Sequence, residues 1–239
     1  LLDSVNNYSL ISKDKKKLKG IPKDVIEKAK NDAKIQKKTG WSFGLDFPSY
    51  LPLMQYADNR ELRREIYYAY ATKASDLSDK TTDNTKNIDN ILLNKKKLSN
   101  LLNFPNYASM ALETKMANSS DEVIKFLEDL ASKAKSFAEK DMSDIAEYGY
   151  KFDIKNIEAW DIAYLSEKLK EDRFNYSDQE IKNYFPASKV IEGLFKVVKN
   201  IYGIYIKEVS TEVWHPDVRF YKIENSSNEL IGYFYLDLY

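Results

Sequence analysis

The sequence predicts a mainly helical protein, a multi-helical lobe with a small antiparallel β element at its C-terminal end. Apolar residues recur at helical spacing along most of the chain, as between Val123 and Tyr148, where they step by three and four. After Gly203 the period changes to two, and a polar ENSSNE turn separates two alternating runs, which indicates an antiparallel hairpin. We therefore expect a helical portion at 1–150 and a portion of helices plus strands at 151–239.

Helix boundaries are predicted by capping residues. Asp58 or Asn59 is expected to begin one helix, and Ser119 with Glu122 has the pattern of a capping box that begins the longest one. Gly203 is expected to end the last helix, because glycine adopts the left-handed conformation of a helix C-cap without strain. A strand with one buried face is predicted where apolar residues alternate, at Trp41, Phe43, Leu45 and Phe47.

Three charged or apolar features have both a structural and a binding interpretation. The lysine-rich segment 1–20 is typical of a solvated loop or helix end rather than of a phosphate-binding patch. Arg60, Arg63 and Arg64 lie on a helix with interspersed glutamates, which favours a solvated face over a peptide or nucleic acid contact. The apolar seam of the longest helix favours packing inside a helical domain over a coiled-coil arm, because Asp141 interrupts it.

Composition and charge exclude several classes of partner. The 37 basic and 37 acidic residues give a net charge of zero, so we expect no nucleic acid partner. No apolar run reaches the roughly eighteen residues of a membrane span, so we expect no membrane partner. The absence of cysteine is compatible with the reducing cytoplasm, which is the expected location.

The chain is poor in residues that hold catalytic zinc. Such a site takes three protein ligands, mostly histidines, and leaves one position open for water. His215 is the only histidine and cysteine is absent, so we expect neither catalytic nor metal-binding residues in this chain. We interpret His215 as a hydrogen-bonded residue at the start of a strand.

Several long blocks carry a resemblance to a known family. The segment WHPDVRFY followed by GYFYLDLY resembles the stretch just before the zinc-binding helix of the thimet oligopeptidase family of zinc metallopeptidases, above all its bacterial oligopeptidase A branch. The HExxH motif of that helix is missing, so the chain resembles the middle portion of such an enzyme. Four further blocks agree in order, at residues 45–75, 103–117, 160–168 and 193–204.

The resemblance implies a fold and a function. The fold would be part of a neurolysin or thimet oligopeptidase-like fold. The full-length relatives hydrolyse short peptides with zinc-activated water, in a channel between two mostly helical lobes. We therefore expect a fragment of a zinc-dependent metalloendopeptidase that is inactive alone, with the zinc belonging to the full-length parent. The chain ending within an apparent strand agrees with a fragment. A non-catalytic helical binding or scaffold module is the alternative.

The last strand gives the candidate substrate-binding residues. Tyr233, Tyr235, Asp237 and Tyr239 alternate with Phe234, Leu236 and Leu238, so the first set is expected to face a wet channel while the second packs. The resemblance implies that this sheet lies near the peptide channel, where an open strand edge binds extended peptides. Ordinary sheet packing explains the same alternation and remains the alternative. His215 is a further candidate. It would line the site from behind the residues that contact the peptide directly.

Overall fold

The computed structural model describes residues 1–238, and it is mainly helical, with a three-stranded antiparallel sheet near the C-terminal end. The fold class expected from the sequence is thereby confirmed. The chain divides into two compact units, Leu1–Asn175 and Tyr176–Tyr239. The portions 1–150 and 151–239 inferred from the sequence stay a prediction.

The first unit begins with short elements around two paired strands. In the lysine-rich segment 1–20 the lysines are exposed, as expected for a solvated loop or helix end, but other residues of the segment belong to the folded unit. Leu10–Ser12 forms a strand antiparallel to Trp41–Phe43, and the side chain of Leu18 is buried. The elements are α1 (Leu2–Asn6), β1 (Leu10–Ser12), a 3₁₀ turn (Lys15–Leu18), α2 (Lys23–Ile35), β2 (Trp41–Phe43), α3 (Phe47–Tyr56) and α4 (Arg60–Thr72).

Strand β2 is shorter than the alternating pattern predicts. Phe43 and Leu45 are buried as expected, but Phe47 is exposed and begins α3. The cause is a helix cap, because the Oδ1 atom of Asp46 accepts a hydrogen bond from the Ser49 backbone N at 3.1 Å. A local polar contact thus ends the extended segment before the apolar alternation does.

The hydrophobic core of the first unit lies between α2, β2, α3 and α4. Phe43, Leu53 and Ile66 are almost fully buried there, and each stabilises the fold by roughly 1.5–3 kcal/mol through removal of apolar surface from water. The other buried members are Leu18, Ile21, Val25, Ala29, Leu45, Met54, Ala57 and Leu62.

The predicted helix caps are confirmed. The Oδ1 atom of Asn59 accepts from the Leu62 backbone N at 2.8 Å, and Ser119 Oγ accepts from the Glu122 backbone N at 3.1 Å. The Glu122 carboxylate reaches back to the backbone N of Asn118 rather than of Ser119, so the box is not strictly reciprocal. The later helices of this unit are α5 (Thr85–Leu101), α6 (Tyr107–Leu112), α7 (Ser120–Gly149) and α8 (Ala159–Phe174).

The buried residues of helix α7, Ile145 and Gly149, lie at its C-terminal end. Ile145 lies in a small core with Tyr164 and Leu165 of α8. Phe126 and Phe137, nearer the N-terminal end, are exposed. The expectation that the seam packs inside a helical domain thus agrees with Ile145 and is wrong for Phe126 and Phe137 among the described residues.

The arginines of α4 have different environments. Arg64 is exposed and pairs with Glu61, as a solvated face requires. Arg63 is buried instead, and its Nη2 donates to the Oδ1 of Asp161 on α8 at 2.8 Å. Arg60 donates to the same carboxylate. The solvated-face interpretation is thus wrong for Arg63, whose partner lies far away in the sequence.

The second unit is a helix packed on a sheet. Phe195 of α10 lies edge-on to Tyr221 and Phe234 of the sheet, with ring centroids 5.0 and 6.4 Å away. Gly203 ends α10 with a φ of +68°, as predicted. None of the helices in residues 1–238 is long and apolar enough to cross a membrane. The elements are α9 (Asp178–Lys182), α10 (Ala187–Tyr202), β3 (Tyr205–Glu208), β4 (Arg219–Glu224) and β5 (Leu230–Leu236).

Candidate functional site

The C-terminal sheet has an open edge. Its strand order is β3-β4-β5, and both pairings are antiparallel. β5 therefore pairs with β4 on one side, and no other described strand pairs with its second side. Backbone N–H and C=O groups along such an edge are available to a further extended chain.

The side chains of β5 follow the predicted alternation. Phe234 faces α10, where it contacts Phe195, whereas Tyr233 and Tyr235 lie on the opposite face with 55% and 44% of their surface exposed. Leu238 was expected to pack like Phe234, and this is wrong, because more than half of its surface is exposed. The two tyrosines are thus brought together on the face that α10 does not cover.

An aromatic row extends across that face. Phe220 of β4 stacks on Tyr233 with centroids 5.3 Å apart and contacts Tyr235 at 4.5 Å. The ring of Trp214 contacts that of Tyr235, with centroids 4.9 Å apart. Sequence reasoning missed Trp214 and Phe220 as neighbours of the tyrosines. The signal for Phe220 was its place in the alternating run before the turn, but pairing it with Tyr235 requires the strand register.

The other two residues expected on this face have different outcomes. The Asp237 carboxylate accepts a hydrogen bond from Trp214 Nε1 at 3.0 Å, which fixes the indole beside Tyr235. Asp237 therefore supports the aromatic row through a neighbour. Tyr239 lies outside the described residues. The assignment of all four residues to substrate binding stays a prediction.

His215 lies in the turn before β4 and is well exposed. Its Nδ1 accepts a hydrogen bond from the Asp217 backbone N at 3.3 Å, and its carbonyl accepts from the Val218 N at 3.1 Å. These contacts stabilise the turn and agree with the hydrogen-bonded role inferred from sequence, although His215 precedes the strand by a few residues. A place for His215 behind a peptide site stays a prediction.

The carboxylate of Glu224, the last residue of β4, is a buried charge in the sheet. The Glu224 carboxylate accepts hydrogen bonds from Lys207 at 2.7 Å and Lys222 at 2.8 Å. These two bonds, Lys207 first, hold the pKa of Glu224 below its usual range. The charge is thus neutralised within the sheet, and it stabilises the pairing of β3 with β4.

The described residues do not offer a zinc site. Within residues 1–238, no three side chains of histidine, cysteine, aspartate or glutamate are grouped so that they could hold a metal ion. His215, the only imidazole in the sequence, has Asp217 as its neighbouring carboxylate. The donor set of this part of the chain therefore does not fit the three-ligand site of catalytic zinc.

Comparison with known proteins assigns the chain to a family of peptidases. A family model described as "Peptidase family M3" matches residues 53–239, which is more than half of the sequence. The chain belongs to peptidase family M3. This confirms the resemblance inferred from the sequence blocks.

The chain is similar over its whole length to oligopeptidases from bacteria and plants. It is 42% identical to oligopeptidase A of Escherichia coli and 37% identical to that of Haemophilus influenzae, and it covers 36% of each protein. It is 34% identical to a probable cytosolic oligopeptidase A of Arabidopsis thaliana, of which it covers 35%. The chain thus spans about a third of the length of the relatives it matches.

Proposed function

We propose that this chain forms part of the peptide-binding region of a zinc-dependent metalloendopeptidase that resembles oligopeptidase A and, as a whole protein, hydrolyses short peptides. The observation that carries the proposal is the open edge of β5 beside an aromatic row. The supporting similarity is the 42% identity to Escherichia coli oligopeptidase A.

An extended peptide would add to the sheet along β5. Main-chain hydrogen bonds to a strand edge do not depend on the peptide's sequence, which suits an enzyme for many short peptides. Tyr233 and Tyr235 lie on one face of this strand, and each is about half exposed, so a peptide side chain could contact them. Asp237 and Tyr239 would extend the same surface, and His215 would line it from the turn before β4.

The catalytic zinc is proposed to be held by residues outside this sequence. The donor set within residues 1–238 lacks the ligands for it, and His215 is the only histidine of the 239 residues. The chain alone is therefore expected to bind peptides without cleaving them. We place the function in the cytoplasm, because the sequence has no cysteine and one Arabidopsis relative is named as probably cytosolic.

A chimera tests this proposal. In it, the aligned segment of Escherichia coli oligopeptidase A is replaced by this 239-residue chain, and cleavage of a short fluorescence-quenched peptide is measured. We expect cleavage by the chimera that a chelator abolishes, and no cleavage by the chain alone. Chelator-sensitive turnover by the isolated chain would contradict the proposal.

The intact Escherichia coli protein is the matched control. A non-catalytic scaffold predicts a different result, namely a chimera that has the circular dichroism and thermal transition of the control but no cleavage. That outcome would favour the scaffold over the peptidase.

A further inference from the structure

Two tyrosine rings of the first unit lie face to face. Tyr50 of α3 and Tyr70 of α4 are stacked, with ring centroids 3.9 Å apart and planes inclined by 15°. Aromatic pairs more often have centroids about 4.5–7 Å apart, so these two rings are unusually close. At this separation the carbons of one ring are in van der Waals contact with those of the other. Tyr148 and Tyr235, in contrast, contact rings of phenylalanine or tryptophan, which carry no phenol.

The surroundings of the pair determine which radical forms on oxidation. Burial, and then the neighbouring phenols of Tyr67 and Tyr70, raise the pKa of Tyr50 to about 12, so its oxidation must release a proton with the electron. The Lys73 ammonium lies 3.1 Å from the centroid of the Tyr70 ring, on the face that Tyr50 does not cover. A positive charge on that ring would be repelled by the ammonium, so its oxidation also ends in the neutral phenoxyl radical.

The composition of the chain lacks the side chain that would repair such radicals. A cysteine thiol is readily oxidised and can give up its hydrogen to a phenoxyl radical, but the 239 residues contain no cysteine. Two phenoxyl radicals formed in contact would therefore react with each other, at the ring carbons next to the oxygens, where the unpaired electron also resides. Both tyrosines are only partly buried, which leaves their rings room to tilt as a bond forms.

We propose that Tyr50 and Tyr70 form an oxidative modification site, at which a one-electron oxidant, either peroxide-activated or a photo-oxidised metal complex, joins the two rings as dityrosine. Each phenol gives one electron to the oxidant and one proton to the solvent. A carbon–carbon bond then forms between ring positions next to the oxygens, and the hydrogens displaced from these carbons restore the two phenols. The product has lost two hydrogens in total and covalently joins α3 to α4.

Photo-oxidation of the 239-residue chain tests the site. The chain is illuminated with a ruthenium trisbipyridyl complex and persulfate at high dilution, and its tryptic peptides are analysed by tandem mass spectrometry. Tyr70→Phe removes one phenol and keeps the ring. Tyr68→Phe is the matched control, because Tyr68 lies on the same helix and is more exposed, at 57%.

We expect the wild type and Tyr68→Phe to give equal yields of one intramolecular product, in which peptides joined at residues 50 and 70 are lighter by two hydrogens than their sum. Tyr70→Phe should abolish this product, and so should urea, because unfolding separates the rings. Oxidation of exposed tyrosines that leaves residues 50 and 70 unlinked would overturn the proposal. A yield that is unchanged in urea would overturn it as well, since the folded geometry would then have no part in the reaction.

A second variant and a stability measurement separate this result from changes in folding. Tyr50→Phe should abolish the product as Tyr70→Phe does, and circular dichroism identifies which variants are folded, so that either one suffices. The cross-linked chain should have a higher thermal midpoint than the untreated chain, because a bond between residues 50 and 70 restricts the unfolded chain. A product whose yield per chain rises with protein concentration would be a link between two copies and would contradict the proposal.

Discussion

Arg63 and Asp161 form an ion pair whose members are 98 residues apart in the chain, with Nη2 and Oδ1 at 2.8 Å. Their side chains are 1% and 0% exposed. The remaining donors of Arg63 are satisfied by the carbonyls of Ala57 at 2.7 Å and Trp160 at 3.2 Å. Arg60 also donates hydrogen bonds to the carboxylate of Asp161, from Nε and Nη2. The network joins α4 to α8 within the first unit.

Removing one member of this pair should strongly destabilise the first unit. Asp161→Ala leaves the Arg63 guanidinium buried without its counter-charge, which costs about 3–5 kcal/mol of unfolding free energy. The measurement is urea denaturation followed by far-ultraviolet circular dichroism. The matched control is Glu61→Ala on α4, whose exposed pair with Arg64 contributes less than about 1 kcal/mol. Equal effects of the two substitutions would contradict the role assigned to the buried pair.

The Asp161 carboxylate should make the free energy of unfolding depend on pH in the acid range. Burial raises the pKa of Asp161, but the hydrogen bonds from Arg60 and Arg63 outweigh it and hold that pKa below 3.8. Because the folded-state pKa is lower than the unfolded one, the unfolded chain binds the proton first as the pH falls. The stabilisation is therefore complete well above pH 3.8 and is lost as the pH falls through the lower folded-state value.

The acid dependence is checked by comparing denaturation midpoints of the wild type and Asp161→Asn from neutral pH down to about pH 3, near the ordinary range of carboxyl groups. The difference in unfolding free energy between the two proteins should shrink at the acid end. A difference that is constant over the whole range would show that the ionised carboxylate is not what stabilises the unit.

Two glycines of the α10 segment should respond in opposite directions to alanine. Gly193 lies within the helix and an added Cβ meets nothing within 4 Å, so Gly193→Ala should stabilise by about 0.5–1 kcal/mol. Gly203 has equal space but a φ of +68°, where alanine is strained, so Gly203→Ala should destabilise by about 1 kcal/mol. Thermal denaturation of both variants measures the contrast, and a shift of the same sign in both would contradict it.

Local chemistry made much of the fold predictable, and distant contacts account for what the sequence did not reveal. The caps at Asn59 and Ser119 depend on residues three positions away, so their sequence spacing sufficed. Strand β1 has three residues in a polar stretch and becomes a strand only by pairing with β2. The burial of Arg63 likewise depends on Asp161, and no pattern around residue 63 indicates a partner 98 positions away.

The sequence likewise predicted one part of the candidate site, and the other part follows only from distant contacts. Period-two alternation correctly placed Tyr233 and Tyr235 on one face of β5. The neighbours that complete the row, Phe220 and Trp214, follow from the register of β4 with β5 and from the course of the preceding loop. Alternation along one strand specifies a face, but only the pairing of strands specifies which side chains share it.

The aromatic row should affect substrate binding more than turnover. In the peptidase chimera, Tyr235→Ala removes a ring whose centroid lies 4.5 Å from that of Phe220. Tyr235 is 44% exposed and can therefore contact a peptide. An aromatic contact of about 0.5–1.5 kcal/mol corresponds to a KM increase of roughly 2- to 12-fold, with kcat nearly unchanged where the contact binds substrate and transition state equally.

Steady-state kinetics with a quenched peptide measures this change. Tyr235→Phe keeps the ring and should retain most of the affinity, while Tyr150→Ala, an exposed tyrosine of the other unit, should have no effect. Circular dichroism confirms that each variant is folded. If Tyr235→Ala lowered kcat and left KM unchanged, or if Tyr150→Ala had the same effect, the aromatic row would not be part of the peptide-binding surface. Because binding and turnover respond differently, the pattern of KM and kcat distinguishes a peptide contact from a general loss of structure.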